Sequence, residues 1–283
     1  MTRCLFVADL HGRIDRYDTL LTVIEAERPA AVFLGGDLLP PGALPLPGVS
    51  DFLLDWLGPR LAGLRGRLGA SYPRVLAIFG NDDPRAEEPS LAELERRGFL
   101  EHAHRRRIDV AGVPVYGYAC VPPTPFMLKD WERYDVSRFV DPGCVSPEDG
   151  HRSVAVPEGD AKWGTIAADL EALVGGEDVS RAVFLFHAPP YGTSLDRAGL
   201  DGRVVEHVPL DVHVGSIAVR RFVEARQPLV SLHGHVHESA RLTGAWRDRI
   251  GRTVCLSAAH DGPELAIVRL DLDEPEAATR EIR

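Results

Sequence analysis

Five short apolar runs, Cys4 to Ala8, Ala31 to Leu34, Val75 to Phe79, Ala182 to Phe186 and Leu229 to Leu232, each lead within a few residues to an oxygen or imidazole side chain. Runs this short and this rich in β-branched residues read as strands buried on both faces. Between them, Ile14 to Glu27 sets Ile14, Tyr17, Leu20, Leu21 and Ile24 at helical spacing, and Ser216 to Arg226 opens on a serine cap before Ile217, Val219, Phe222 and Val223. Strand alternating with helix predicts an α/β chain. A hairpin, Arg105 to Val110 with Val113 to Ala119 turned at Gly112, and a tail, Arg252 to Ser257 and Leu265 to Leu270, add antiparallel pairs. The sheets are therefore expected to be mixed.

The 283 residues, 45% hydrophobic and 26% charged, have the composition of an ordinary soluble globular protein with enough mass for several packed layers. With no internal repeat and no linker between separate cores, one domain over 1–283 is expected. A proline-rich excursion at about 121–164, holding Trp131 and Tyr134 among charges, is expected to carry little regular structure and to serve function. Cys4, Cys120, Cys144 and Cys255 lie far apart without a C-x-x-C pair, which argues against a zinc knuckle or a disulfide framework and favours a reducing cytoplasm. No apolar run is long enough for a signal core or a membrane span. The net charge of -10 disfavours nucleic acid and anionic lipid as partners. The oligomeric state is left open.

Chemistry concentrates where the runs end. Asp9 and His11 follow the first, Asp37 the second, Asn81 the third, His187 the fourth, and His235 and His237 the fifth. In open α/β sheets ligands bind at the carboxyl ends of strands. One aspartate there is usually a helix cap, and one histidine is usually structural. Seven such residues on five strands favour a metal centre instead. Carboxylate, carboxamide and imidazole suit Mn, Fe, Co, Ni or Zn, and a shared carboxylate lets two cations approach to about 3.5–4 Å.

The blocks DLH at 9–11, GGD at 35–37, GND at 80–82, the single His187 and GHVH at 234–237 resemble the calcineurin-like metallophosphoesterases, in order and spacing. The resemblance implies a four-layer αββα sandwich of two mixed β-sheets flanked by helices. It further implies two divalent metal ions, with Asp9, His11 and His237 on one, Asn81, His187 and His235 on the other, and Asp37 bridging. A phosphomonoester or phosphodiester would be hydrolysed by a dimetal-activated water.

Two positions depart from the family. The acidic residue that often follows GD is absent, since Leu38, Leu39 and Pro40 come next. Where many members have Gly-Asn-His-Asp, with a histidine that helps protonate the leaving group, this chain has Gly80, Asn81, Asp82 and Asp83. Asp82 is a poor proton donor beside two cations, which favour its ionised form. His213, three residues before the Ser216 cap, is a candidate recruited acid, because helix amino ends attract phosphate oxygens; the alternative is that it only caps or packs. His260 is a weaker candidate, and His233 is expected to hydrogen-bond within the core. Tyr191, stiffened by Pro189 and Pro190, and Lys129, one of two lysines, are candidate substrate contacts. Trp131 is expected to pin the excursion to the sheet. A nuclease, or a binding scaffold that has lost catalysis, are the competing functions.

Overall fold

The computed structural model describes residues 2–40 and 48–283. In chain order the strands are β1 (Arg3–Val7), β2 (Ala31–Gly35), β3 (Arg74–Ile78), β4 (Glu101–His102), β5 (Arg107–Val110), β6 (Val113–Tyr118), β7 (Val183–Phe186), β8 (Val204–Val205), β9 (Val208–Pro209), β10 (Val230–His233), β11 (Arg247–Ile250), β12 (Thr253–Ser257), β13 (Ala266–Asp271) and β14 (Thr279–Ile282). One six-stranded sheet has the order β14-β13-β1-β2-β3-β4 and a second β11-β12-β10-β7-β6-β5. Strands β1 to β4 run parallel, β13 pairs antiparallel with β1, and the edge strand β14 pairs antiparallel with β13. In the second sheet β12, β10, β7 and β6 run parallel between the antiparallel edges β11 and β5. Helices flank both mixed sheets, as expected.

Parallel strands need crossovers, and helices such as Ile14–Glu27 and Ile217–Arg226 supply them. The first packs through Tyr17, Leu20, Val23 and Ile24; the second is capped by Ser216, whose hydroxyl accepts from the Val219 N–H at 3.0 Å. Phe6, Phe33, Leu76, Phe184 and Leu232 are completely buried, so the centre of each sheet is dry. Strands β11 and β14 escape a hydrophobic-pattern reading because their sequences, RDRI and TREI, are those of charged sheet edges.

The excursion is irregular but closely bonded. Isolated bridges join Val121 to Glu132, Leu128 to His151 and Tyr134 to Thr165, and a short helix spans Glu158–Trp163. Trp131, 1% exposed, packs 5.7 Å from the Phe79 ring and 4.9 Å from the His104 ring, so it does pin the excursion to the first sheet. Lys129 requires a correction. Its ammonium has no exposed surface, pairs with Glu132 and donates to the Thr124 carbonyl at 2.9 Å, so it closes a turn inside the excursion rather than facing a substrate.

Asp135 ties the excursion to the second sheet's helix. Its carboxylate accepts from the Ser216 hydroxyl at 2.6 Å and from the N–H groups of Ile217 and Ala218 at 2.6 and 3.1 Å. The amino end of that helix is thus already satisfied by a carboxylate, so the idea that it receives a phosphate oxygen beside His213 gives way to this contact. Asp135→Ala should strand two part-buried N–H donors and lower stability by about 1–3 kcal/mol, read as a lower urea midpoint. An unchanged midpoint would mean that this contact does not anchor the excursion.

Candidate metal centre

Because β2 lies against β7 and β3 against β6, the carboxyl ends of both parallel sets meet. The turns leaving those strands are strained: Asp9, His11, Asp37 and His235 have φ of 57°, 47°, 53° and 73°. Left-handed backbone outside glycine costs roughly 1–3 kcal/mol per residue and persists where surrounding contacts enforce it. Glycine opens the remaining space. A Cβ at Gly80 would stand 2.2 Å from Asp37 Oδ1, and one at Gly36, where φ is 97°, 2.4 Å from His187 Nδ1.

Asp9, His11, Asp37 and His237 each aim one ligand atom into a common space, all within 4.8 Å of one another. His237 Nε2 lies 3.1 Å from His11 Nε2 and 3.4 Å from Asp9 Oδ1. Asp9 Oδ1 accepts from the His235 N–H at 3.0 Å, while Oδ2 is buried with no partner. An ionised oxygen left bare in the interior is costly, and a cation would satisfy it. On the far side of Asp37, His187 Nε2 lies 3.3 Å from Asp37 Oδ2 and 3.2 Å from Asn81 Oδ1. Its Nδ1–H donates to the Gly35 carbonyl at 2.7 Å, which directs Nε2 at the cluster. The His235 ring centre is 5.2 Å from that of His187. The hard oxygens and imidazoles fit divalent cations of the manganese to zinc series.

The electrostatics follow from carboxylates and imidazoles confined together. Burial works against the charged form of His187, yet Asp37 and Asp9 lift it to about 10, and Asp9 likewise lifts His237 to about 9. Burial also opposes ionisation of Asp37 and Asp9, but histidine charge holds both below the usual carboxylate range. His235, buried and beside charged His187, falls to about 3 and keeps its lone pair. These protons hold positions that cations can take.

Three supports lie outside the sequence-level set. Asp83 is fully buried and accepts from the N–H groups of Leu38 (2.9 Å), Leu39 (2.8 Å) and Gly80 (2.8 Å), locking the Asp37 turn to the Asn81 turn; burial and nearby Asp37 push its carboxyl up to about 8. The buried Arg16 guanidinium donates to the carbonyls of Asp9 and, at 2.6 Å, Gly262. Tyr17 donates to the Leu38 carbonyl at 2.9 Å. Arg16 is four residues from Leu20 on the buried stripe of its helix, and a charge at that spacing was the available signal.

The other sequence candidates spread around this centre. Asp82 is part-exposed; its N–H donates to Asp37 Oδ1 at 2.9 Å, its carboxylate lies 3.7 Å from His11 Nδ1, and burial with Asp37 raises its pKa. His213 Nδ1 bonds Asp196 Oδ1 at 2.8 Å, and fully buried Asp196 is also held by the N–H groups of Gly192, Thr193 and Gly215. The Tyr191 ring centre is 5.9 Å from that of His213, and its hydroxyl donates to Asp211 at 2.6 Å, a bond that with burial raises it to about 12. His213 pairs with Arg197, and two residues on the Gly199 N–H donates to Glu238, next to His237. Among the described residues neither His213 nor Tyr191 bonds a candidate metal ligand. His233 bonds the Ala188 carbonyl and Ser231 within the core, and His260 bonds Glu264 at 3.3 Å.

Residues 2–239 match the sequence profile described as calcineurin-like phosphoesterase. The chain belongs to this family. Among solved structures it is similar to TT1561 of Thermus thermophilus, at 17% identity and a TM-score of 0.58 over 99% of this chain and 98% of that one. It is also similar to a dimetal phosphatase from Danio rerio, at 14% identity and a TM-score of 0.52 over 94% and 91%. At such identity the likeness is one of fold. No curated protein matches the chain.

Gly80→Ala should displace the Asp37 turn together with its carboxylate, because the new methyl would stand 2.5 Å from the Asp37 backbone nitrogen and 2.2 Å from Oδ1. Equilibrium dialysis against manganese(II) should show a loss of affinity of about tenfold or more, the size seen when groups supporting a ligand are disturbed. Full retention of manganese by a folded variant would remove Asp37 from the centre.

Proposed function

We propose that the chain is a dinuclear metal-dependent phosphoesterase acting in the cytoplasm as one domain over 1–283, on a phosphomonoester or phosphodiester. The observation that carries this reading is the convergence of Asp9, His11, Asp37 and His237 within 4.8 Å, with Asp37 also 3.3 Å from His187 Nε2. Asp9, His11 and His237 would hold one cation, Asn81, His187 and His235 the other, and Asp37 both. Two divalent ions, drawn from Mn, Fe, Zn, Co and Ni, would supply an activated water and neutralise phosphoryl charge.

The chain's own residues do the rest. Asp83 and Arg16 keep the turns of Asp37 and Asp9 in place, and the Gly35 carbonyl orients His187. Asp82 stands where many relatives have the histidine that helps expel the leaving group; beside cations its carboxyl stays ionised and gives up no proton. His213 is the stronger donor, since Asp196 takes its Nδ1 and leaves Nε2 for a leaving-group oxygen, an aspartate–imidazole arrangement that fixes the tautomer. Tyr191 lies beside it as a substrate contact. A nuclease is less favoured, because a net charge of -10 repels a nucleic-acid backbone. Free thiols at all four cysteines and no described helix apolar enough to cross a membrane accord with a cytoplasmic setting.

Asp37→Asn should abolish hydrolysis of an aryl phosphodiester and reduce bound metal while leaving the circular dichroism spectrum unchanged. Full metal content with no hydrolysis of any mono- or diester in the parent protein would favour the scaffold reading instead.

General acids matter most for poor leaving groups, by a factor of about 10²–10⁴. His213→Ala should therefore slow an alkyl ester on the order of 10²-fold more than an aryl ester. Asp82→His should speed the alkyl ester selectively. Equal effects of His213→Ala on both substrates would show that His213 is not the acid.

A further inference from the structure

Away from the candidate metal ligands, none of which lines it, a cavity of about 400 Å³ opens between the excursion and the β4 and β6 side of the molecule. That volume is within the range of small-ligand sites. Four arginines, Arg85, Arg105, Arg133 and Arg152, contribute to its wall together with His104 and Trp131. Four carboxylates, Glu88, Asp130, Glu132 and Asp160, line the same cavity, so the question is which guanidinium they leave unpaired.

The hydrogen bonding of the wall is lopsided. Its carboxylates are engaged: Glu88 by Arg85 at 2.8 Å, Asp160 by two Arg133 nitrogens at 2.9 Å each, Asp130 by the N–H groups of Arg85 and Ser153 at 2.8 and 3.0 Å, and Glu132 by Lys129. Three of the four guanidiniums are ion-paired in turn, Arg85 with Glu88, Arg105 with Asp169, and Arg133 with Asp160 and Asp169, which leaves Arg152 as the exception. Arg152 is half-buried and reaches only carbonyl oxygens, those of Lys129 and, at 3.0 Å, Pro147, with no carboxylate in ion-pair reach among the described residues. Trp131 Nε1 is buried without an acceptor. Arg133 Nε lies 2.8 Å from Asp169 Oδ2 but makes no aligned hydrogen bond. His104 Nδ1 accepts from the Ala119 N–H at 3.0 Å, so the neutral ring carries its proton on Nε2, for which the described residues provide no acceptor.

Buried donors without acceptors are rare because each costs about 1–3 kcal/mol. Among the described residues, Trp131 Nε1 and Arg133 Nε are two such nitrogens that belong to this wall, while His102 Nε2 and Arg280 Nε lie elsewhere. We propose that this cavity is a second binding site, separate from the metal centre, for a small multiply charged oxyanion such as a phosphorylated or polycarboxylate metabolite. Arg152 supplies the principal charge, and Trp131 Nε1 and His104 Nε2 supply directional hydrogen bonds. Guanidinium forks match phosphate and carboxylate oxygens. Through Trp131 against Phe79 and Arg85 after Asp82, a bound anion would brace the segment that carries Asn81. The inference stands independently of the proposed hydrolysis.

The test uses metal-stripped full-length protein, so that no cation competes for the probe, titrated calorimetrically with inorganic pyrophosphate and separately with citrate. One equivalent of either should bind, with a rise in Tm; the stronger of the two distinguishes a phosphate from a polycarboxylate site. Asp37→Asn should bind equally well, Arg152→Gln at least about tenfold more weakly, and Arg152→Lys in between. Trp131→Phe removes the indole N–H and should also weaken binding, which keeps the test decisive if Arg152→Gln does not fold. Absence of binding by both probes, or unchanged affinity in the folded Arg152 and Trp131 variants, would overturn the proposal. Loss of binding in Asp37→Asn would overturn it too, by assigning the anion to the metal centre.

Discussion

A single carboxylate, Asp37, joins the two sheets at the place where chemistry is expected. It leaves β2 on a left-handed turn, meets His187 from the opposite sheet at 3.3 Å, and accepts the Asp82 N–H at 2.9 Å. A buried ionised group is tolerated only when opposite charge and donors surround it. The structure meets that condition from four strands at once, and the turns at Asp9, Asn81 and His235 are all arranged around it.

The cost of this arrangement is carried by residues that never enter the cluster. Asp83 gathers backbone N–H groups from two turns, and Arg16 gathers carbonyls from Asp9 and Gly262. Each replaces a hydrogen bond that regular structure would have supplied to an irregular segment. The glycines act in the opposite sense, by omission. At Gly80 any side chain would occupy the space of the Asp37 carboxylate.

The excursion follows a related logic. It has too few strand ladders to hold itself, and it is fixed by buried charge: Lys129 with Glu132 inside, and Asp135 on the helix that follows Ser216. Buried pairs contribute little net stability but penalise other conformations, because breaking one leaves a bare charge. One consequence is a wall that holds the Arg152 guanidinium without a carboxylate partner among the described residues.

Much was legible in the sequence because its signals are local. Apolar runs of four or five residues read as buried strands, the Ile14–Glu27 periodicity matched its helix residue for residue, and polar residues at five strand ends marked a candidate ligand set. What tertiary structure alone decided is which distant residues share a space. Lys129, a candidate substrate contact, and His213, a candidate acid, differ in their surroundings: one is sealed against Glu132 and the other is bonded to buried Asp196. Asp135 and Asp83 gave no sign of holding N–H groups of distant turns, since Asp135 lies 82 residues from Ile217 and Asp83 lies 45 from Leu38. Periodicity records which face of an element is buried, whereas the partner of a buried charge depends on how chain segments far apart in sequence are brought together.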